Sequence, residues 1–481
     1  MDQLERKLLK DAALILTGLP RGSEFGLDGR LWQVDRFSGV KMLPAGFHFF
    51  VFSAAPASAS ADPSSSQGVA ARHGLLRFFE PGERLVQEWD NMHEELKRTA
   101  PPKKRRRTAR ASSGSEAEAT LVSDDYLKRL DSSLAPYPSD ALAEQWRALA
   151  GFVTEETVAR VVGLDEQRCG VVDALTSSAA DEAGMAAGAG ATSAQRTWGK
   201  ARGAAAAGEG DVDAADPQPD VREVVELDKE DGEEGGPELL EFVRFDERRS
   251  WPRGAVGEEL THWSKDKSWQ LSEVVRSQLN DDPKELLAEF QLAFVLFSLV
   301  HNFSSLSTYK SLFSLICRSA TLVYPPSSRP TATSLPSPLL STTSLPLFAS
   351  FLSAFHAQVN FLDETFFSAQ LPSLEQHLLD SLAELSQALS DALPAWEALG
   401  AQDAAVAGVW NEVIRRWDAL AALTTAKFGW DLGVVRGSRA KYLSAGGRAQ
   451  RAADEVDLED LEEGEDAPVV LDEEGLGEYY G

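Results

Sequence analysis

Between Ser177 and Glu238 the chain turns Ala- and Gly-rich and then Asp- and Glu-rich, with few large apolar residues. Such a stretch cannot bury enough surface to offset the entropy of ordering it. It divides the 481 residues into two parts that must each supply a core, and the two parts carry different periodicities. We place a disordered acidic linker at 171–250, a strand-rich part before it at 1–170, a helical part after it at 251–432 and an acidic tail at 433–481. The expected class is α+β multidomain.

In the first part, 13–16 is a short apolar strand, ended by Gly18-Leu19-Pro20-Arg21-Gly22, where Gly and Pro punctuate a turn. Asp28-Gly29 has hairpin-turn chemistry, and Leu31-Trp32-Gln33-Val34 behind it is rich in strand formers. Strands at 40–43 and 47–52 flank Pro44-Ala45-Gly46, and strands at 75–79 and 85–89 flank Glu80-Pro81-Gly82-Glu83. So many short strands predict a β-sandwich or barrel-like domain. It carries inserts at 54–68 and 99–120, short helices at 126–130 and 141–149, and a last strand within 158–170.

Past Gly254 the period changes. Residues 285–300 are apolar on nearly every face, which marks a buried central helix. Leu306, Tyr309, Leu312, Phe313 and Ile316 recur at three- and four-residue spacing, giving a second helix with one apolar stripe. Helical patterns return at 347–361, 371–393 and 405–427 after a proline-rich insert at 325–346. Short connections between such helices predict a compact bundle or superhelix.

Charge and motif content then narrow the function. Lys and Arg number 47 against 75 Asp and Glu, a net charge of -28, which repels phosphate backbones and argues against direct nucleic-acid binding. Residues 451–481 hold 13 acids and one Arg. Two distant cysteines, Cys169 and Cys317, point to a reducing compartment. The first eleven residues carry both signs of charge and read as no secretory signal. The most apolar run, 286–300, contains Glu289 and Gln291 and is too short for a bilayer, so no membrane is expected.

Reactive chemistry is not legible. Ser23 follows Gly22 directly, without the Lys that a phosphate loop needs, so 18–23 reads as a glycine turn. The seven histidines are scattered, no Cys-x-x-Cys occurs, and neither a nucleophile elbow nor a kinase signature is present. His48 reads as a hydrogen-bonded sheet residue rather than a base, and Asp281-Asp282 as helix N-terminal or loop charges rather than a catalytic dyad. The expectation is a non-enzymatic protein with no catalytic residue, cofactor or metal.

Two polar features ask for a role. Lys103-Lys104-Arg105-Arg106-Arg107 follows two prolines and reads as a nuclear-import signal; it holds no aromatic to stack a base. In the tail, Ala467 precedes Pro468, Val469, Val470 and Leu471, a patch of β-formers among acids that reads as a strand docking on a partner's sheet edge.

A resemblance gathers these readings. Gly18-Leu19-Pro20-Arg21-Gly22-Ser23-Glu24-Phe25-Gly26-Leu27-Asp28, followed by Lys41-Met42-Leu43-Pro44-Ala45-Gly46-Phe47-His48, resembles the N-terminal signature of the AAR2 splicing-factor family. Glu289-Phe290-Gln291-Leu292-Ala293-Phe294, Leu315-Ile316-Cys317-Arg318-Ser319 and Lys427-Phe428-Gly429-Trp430-Asp431 resemble its helical signatures, and Asp266-Lys267-Ser268-Trp269 the start of its helical domain. The resemblance implies an all-α VHS-like second domain and a chaperone of U-five snRNP assembly. Its implied partner is the scaffold protein Prp-eight, bound through its RNase H-like and Jab/MPN domains and kept from the helicase Brr-two and from RNA until assembly is complete. It also implies shuttling between cytoplasm and nucleus. The inserts, the basic block and the long linker depart from the family pattern. The rival reading is a VHS-like trafficking adaptor, which the acidic charge and the absence of a lipid-binding patch disfavour.

Overall fold

The computed structural model describes residues 11–54, 72–97, 130, 133–138, 140–178, 181, 239–329, 344–400, 404–433 and 435. The strands are Ala12–Thr17 (β1), Ser23–Leu27 (β2), Arg30–Val34 (β3), Gly39–Leu43 (β4), Gly46–Ser53 (β5), His73–Phe79 (β6), Arg84–Asp90 (β7), Glu95–Leu96 (β8), Ala135–Pro136 (β9) and Cys169–Asp173 (β10). They form two five-stranded sheets, in the orders β8-β7-β1-β4-β9 and β10-β6-β5-β2-β3. The second sheet is antiparallel throughout, whereas β1 runs parallel to β7 and β4 parallel to β9. The β2–β3 turn is the expected one: Asp28 and Gly29 both take left-handed φ, 51° and 87°, as a two-residue hairpin turn of the primed type requires.

Leu14 and Leu16 of β1, Leu43 of β4 and Trp89 of β7 pack against Phe25, Phe50, Phe52 and Leu75 of the second sheet. This is the core of a β-sandwich. Alternation along β5 sends Phe50 and Phe52 into that core and Phe49 and Val51 to the opposite face, into a second core shared with the helices. The second sheet is therefore covered on both faces, which explains why β5 reads as a continuous apolar run rather than an alternating one.

Two helices of the first domain lie on that outer face, Asp140–Ala150 (α1) and Glu155–Val161 (α2). The strand expected within 158–170 is thus corrected. Val158, Val161 and Val162 suggested it, but Thr154 caps the segment by accepting the Thr157 amide at 3.1 Å, and Glu155 and Glu156 favour a helix N-terminus. The strand comes later, as β10. Both ends of the stretch assigned to linker are packed: Ser178 bridges Leu240, and Leu240, Phe242 and Val243 are buried in the helical core.

The second domain comprises Gly257–Lys265 (α3), Ser268–Gln278 (α4), Pro283–Val295 (α5), Phe303–Cys317 (α6), Ala320–Val323 (α7), Leu345–Phe361 (α8), Phe366–Ala369 (α9), Pro372–Gly400 (α10) and Ala404–Phe428 (α11). α5 begins at Asp282, whose side chain accepts the Lys284 amide at 2.8 Å, with Pro283 in the first turn. From Leu286 to Val295 every residue is buried, as expected of the central helix. A π-helical turn, Leu296–Val300, and left-handed His301 (φ 64°) end it. Phe290 stacks on Tyr309 of α6 at 4.8 Å, and Phe313 meets Phe355 of α8 at 4.8 Å, so aromatic pairs tie three helices together. The helix expected at 371–393 runs on through Pro394 to Gly400. Among the described residues no helix is long and apolar enough to cross a membrane.

Candidate functional site

The N-terminal motif residues meet at one buried polar centre. Asp28 accepts from the Phe49 amide at 3.1 Å and the Tyr137 hydroxyl at 2.8 Å, and its Oδ2 lies 2.7 Å from His48 Nδ1. The other ring nitrogen of His48 lies 2.7 Å from the Pro44 carbonyl. Both nitrogens face oxygens within hydrogen-bond distance, a geometry that favours the doubly protonated ring. Burial opposes that charge, but the Asp28 carboxylate and the Pro44 carbonyl outweigh it and hold the imidazole above its usual pKa. Burial, reinforced by Asp28, keeps the Tyr137 phenol well above its ordinary range. Every side-chain polar atom of Asp28 and His48 has a partner, and among the described residues the groups that face the pair are those partners, so the cluster clamps the β2–β3 turn to β5. A cleft of ≈ 210 Å³ opens beside it, lined by Pro44, Gly46, Phe47, Tyr137, Trp146 and Arg147.

The other residues of that motif shape the sandwich. Gly18, Pro20 and Gly22 form the turn between β1 and β2. Phe25 packs on Phe37 at 4.4 Å, and a β-carbon at Gly26 would stand 2.8 Å from that of Val51, so only glycine lets β5 approach. Met42 takes a left-handed φ of 63° at a bulge, where the β1–β4 register slips between Ala12↔Leu43 and Leu14↔Val40.

The helical motif residues fix one domain to the other. Gln291 accepts the Phe152 amide at 2.8 Å and donates to the Ala148 carbonyl at 3.2 Å, joining α5 to the end of α1. Its neighbour Glu289, 0% exposed, pairs with Arg160 of α2 and accepts the Val243 amide at 2.8 Å. Burial pushes the Glu289 carboxyl up, and Arg160 offsets part of that. Glu285 joins the same cluster, accepting from Arg160 at 3.2 Å and from the Thr157 hydroxyl at 2.9 Å. Phe290 and Phe294 fill the aromatic core beneath. Arg318 pairs with Glu384 at 2.9 Å while its carbonyl accepts the Lys267 amide at 3.0 Å. Trp430 donates to Glu375 at 2.7 Å and sits between Phe367 and Phe428.

The Glu289–Arg160 pair was missed as a joint from sequence, although a lone acid inside an otherwise apolar helix was the signal for it. Of the two readings of the acid pair, helix N-terminus or loop, Asp282 takes the first and caps α5. Lys103, Lys104, Arg105, Arg106, Arg107, Pro468, Val469, Val470 and Leu471 lie outside the described residues. Among the described residues no group of His, Cys, Asp and Glu is placed to hold a metal ion, and both cysteines are buried free thiols.

Comparison with known proteins follows the same division. Residues 10–163 match the model of the AAR2 N-terminal domain and 242–433 that of the AAR2 C-terminal repeat region. Among relatives, the human Protein AAR2 homolog is 28% identical over 318 residues, covering 66% of this chain and 71% of its own length. The mouse protein of that name is 28% identical over 318 residues, 64% of this chain and 69% of its own. The Caenorhabditis elegans one is 31% identical over 151 residues, 31% of this chain and 34% of its own.

Proposed function

Because this chain belongs to the AAR2 family of splicing factors, we propose that it is a non-enzymatic assembly chaperone of U-five snRNP biogenesis that binds the scaffold protein Prp-eight. In this reading it holds the RNase H-like and Jab/MPN domains of the scaffold in fixed relation and delays Brr-two and RNA engagement until assembly is complete. One observation carries the reading: the helical motif residues Glu289 and Gln291 lock the two family domains together. A clamp on two partner domains needs two surfaces that keep a constant separation, and these buried bonds supply it. The N-terminal motif residues make a satisfied cluster rather than a reactive one, which supports a binding role over catalysis.

In the same reading the helical domain is VHS-like, and Pro468, Val469, Val470 and Leu471 add a strand to the partner. Lys103, Lys104, Arg105, Arg106 and Arg107 serve import as the protein shuttles between cytoplasm and nucleus. With a net charge of -28, neither direct nucleic-acid contact nor a membrane belongs to the proposal.

The test is a pull-down of the two scaffold domains with the full chain and with a chain truncated after Leu432. Binding by the full chain that weakens on truncation supports both the chaperone and the tail strand. Equal binding keeps the chaperone and removes the tail's part in it. No binding by either overturns the reading and returns the VHS-like adaptor.

A further inference from the structure

The cleft beside the Asp28–His48 pair is lined by the β4–β5 turn, by the rings of Phe47 and Tyr137, and by Ala143, Trp146 and Arg147 of α1. Hydrogen bonds fix its lining before anything enters it. Trp146 Nε1 donates to the Phe47 carbonyl at 2.7 Å, which ties the helix to β5. The Tyr137 hydroxyl is held on Asp28 at 2.8 Å, and the Pro44 carbonyl lies 2.7 Å from the His48 ring. Further along α1, Gln291 holds the Ala148 carbonyl, so the helix cannot drift from the sheet. A cavity preformed in this way costs a ligand little ordering entropy. Phe47, Phe78 and Tyr137 are nevertheless only half-buried, which leaves aromatic surface free for a contact.

The cleft also carries a charge. The Arg147 guanidinium is close enough to the Tyr137 phenol to work against the rise in that group's pKa. Arg147 is exposed, and among the described residues it makes no ion pair and no side-chain hydrogen bond, not even with Glu144 one turn earlier on α1. The Asp28 carboxylate behind Tyr137 is already paired with His48. Arg147 is therefore the base that an incoming group meets.

Size and chemistry narrow the occupant. The cleft, at ≈ 210 Å³, falls short of the ~300–1,000 Å³ that encloses a whole small molecule. It has room for one large side chain. Aromatic rings beside Ala143 and Ala150 favour an apolar one, seated on the Phe47–Trp146 stack. One arginine matches one carboxylate, which it meets with two parallel hydrogen bonds. We infer that the cleft is a docking site for a peptide segment of a partner protein: an aromatic or leucine side chain fills it and an acidic side chain close by in the segment pairs with Arg147. The site lies on the strand domain and stands whether or not the partner is the scaffold.

The test selects displayed random heptapeptides on the full chain and removes those that also bind Ala143→Leu. That position is half-buried on α1 and leucine is a strong helix former, so the variant fills the cleft without breaking the helix. Melting curves of this variant and of Arg147→Gln check that both fold. The surviving peptides are expected to carry Phe, Tyr, Trp or Leu within two positions of Asp or Glu. The strongest is then made in two versions, with its acid and with the matching amide, and both are titrated by fluorescence polarisation. On the unaltered chain, which needs no variant, the amide version should bind ~10-fold more weakly. On Arg147→Gln the two versions should bind alike. A selection that yields no peptide sensitive to Ala143→Leu overturns the inference. So do surviving peptides without acids, or a preference for the acid that persists in Arg147→Gln.

Discussion

Glu289 of α5 and Arg160 of α2 stand 129 residues apart in the chain and form an ion pair whose acid is wholly buried. The Arg160 side chain is 33% exposed, so water reaches the base but not the acid. That asymmetry makes the two partners unequal under mutation. Arg160→Ala leaves a buried carboxylate with too few donors and should destabilise the protein by ~3 kcal/mol, the low end for breaking a buried pair. Glu289→Gln keeps an acceptor for the Val243 amide and should cost no more than ~1.5 kcal/mol. Urea midpoints of the two variants check this ordering, and the reverse order would sink the account of the seam.

Gln291 makes the neighbouring joint with neutral groups. Gln291→Leu strands the Phe152 amide and the Ala148 carbonyl, for a loss of ~1–3 kcal/mol. The loosening should be local, so amide exchange should rise at 148–153 before it rises in β5. Uniform acceleration across the chain would show that the side chain acts through global stability alone.

The Asp28–His48 cluster should make stability depend on pH. The folded pKa of His48 is raised, so its contribution is complete below the unfolded value of about 6.5 and is lost as pH rises through the folded value. Tyr137, the other titratable group facing Asp28, stays neutral throughout that window. The stability difference between wild type and His48→Gln should therefore shrink as pH climbs above about 6.5. A difference that stays constant from pH 5.5 to pH 9 would contradict the imidazolium assignment.

Gly29 combines a left-handed φ of 87° with the close approach of Phe361. Gly29→Ala meets both obstacles and should cost at least ~1 kcal/mol. Phe361→Leu should restore part of that loss in the double variant, since it removes the ring that the new methyl would strike. Strictly additive losses would mean that backbone conformation alone is responsible.

Much of the fold was legible in the sequence because its signals were local. Asp28-Gly29 announced its turn, the strands of the sandwich fell between Gly and Pro punctuation, and the nearly all-round apolar character of 285–300 marked the central helix, which ends at Val295 in a π-helical turn. α2 was misread because Val158, Val161 and Val162 carry strong strand preference, while the Thr154 cap that decides the matter is one side chain. The packed ends of the linker region were misplaced for a related reason, since a few apolar residues such as Leu240 and Phe242 are outvoted by their acidic surroundings. The seam was legible only by half: the lone acid in an apolar helix signals that Glu289 needs a buried partner, but nothing in the composition of either segment says that the partner is Arg160. The place of β3 as the last strand of its sheet among the described residues was equally hidden: Trp32 looks the same in a list of residues whether its strand is central or at an edge.

The sheet sheltered on both faces has a consequence for how the protein comes apart. Phe49, Val51 and Leu76 belong at once to the strand domain and to the core of the helices. A fragment cut at the family boundary would keep α1 and α2 over part of that layer but bare the part that the helical domain covers, and the helical remainder would lose the surface that α5 leans on. The two evolutionary modules therefore melt as one cooperative unit, and a calorimeter should record a single endotherm where the sequence, taken domain by domain, would suggest two.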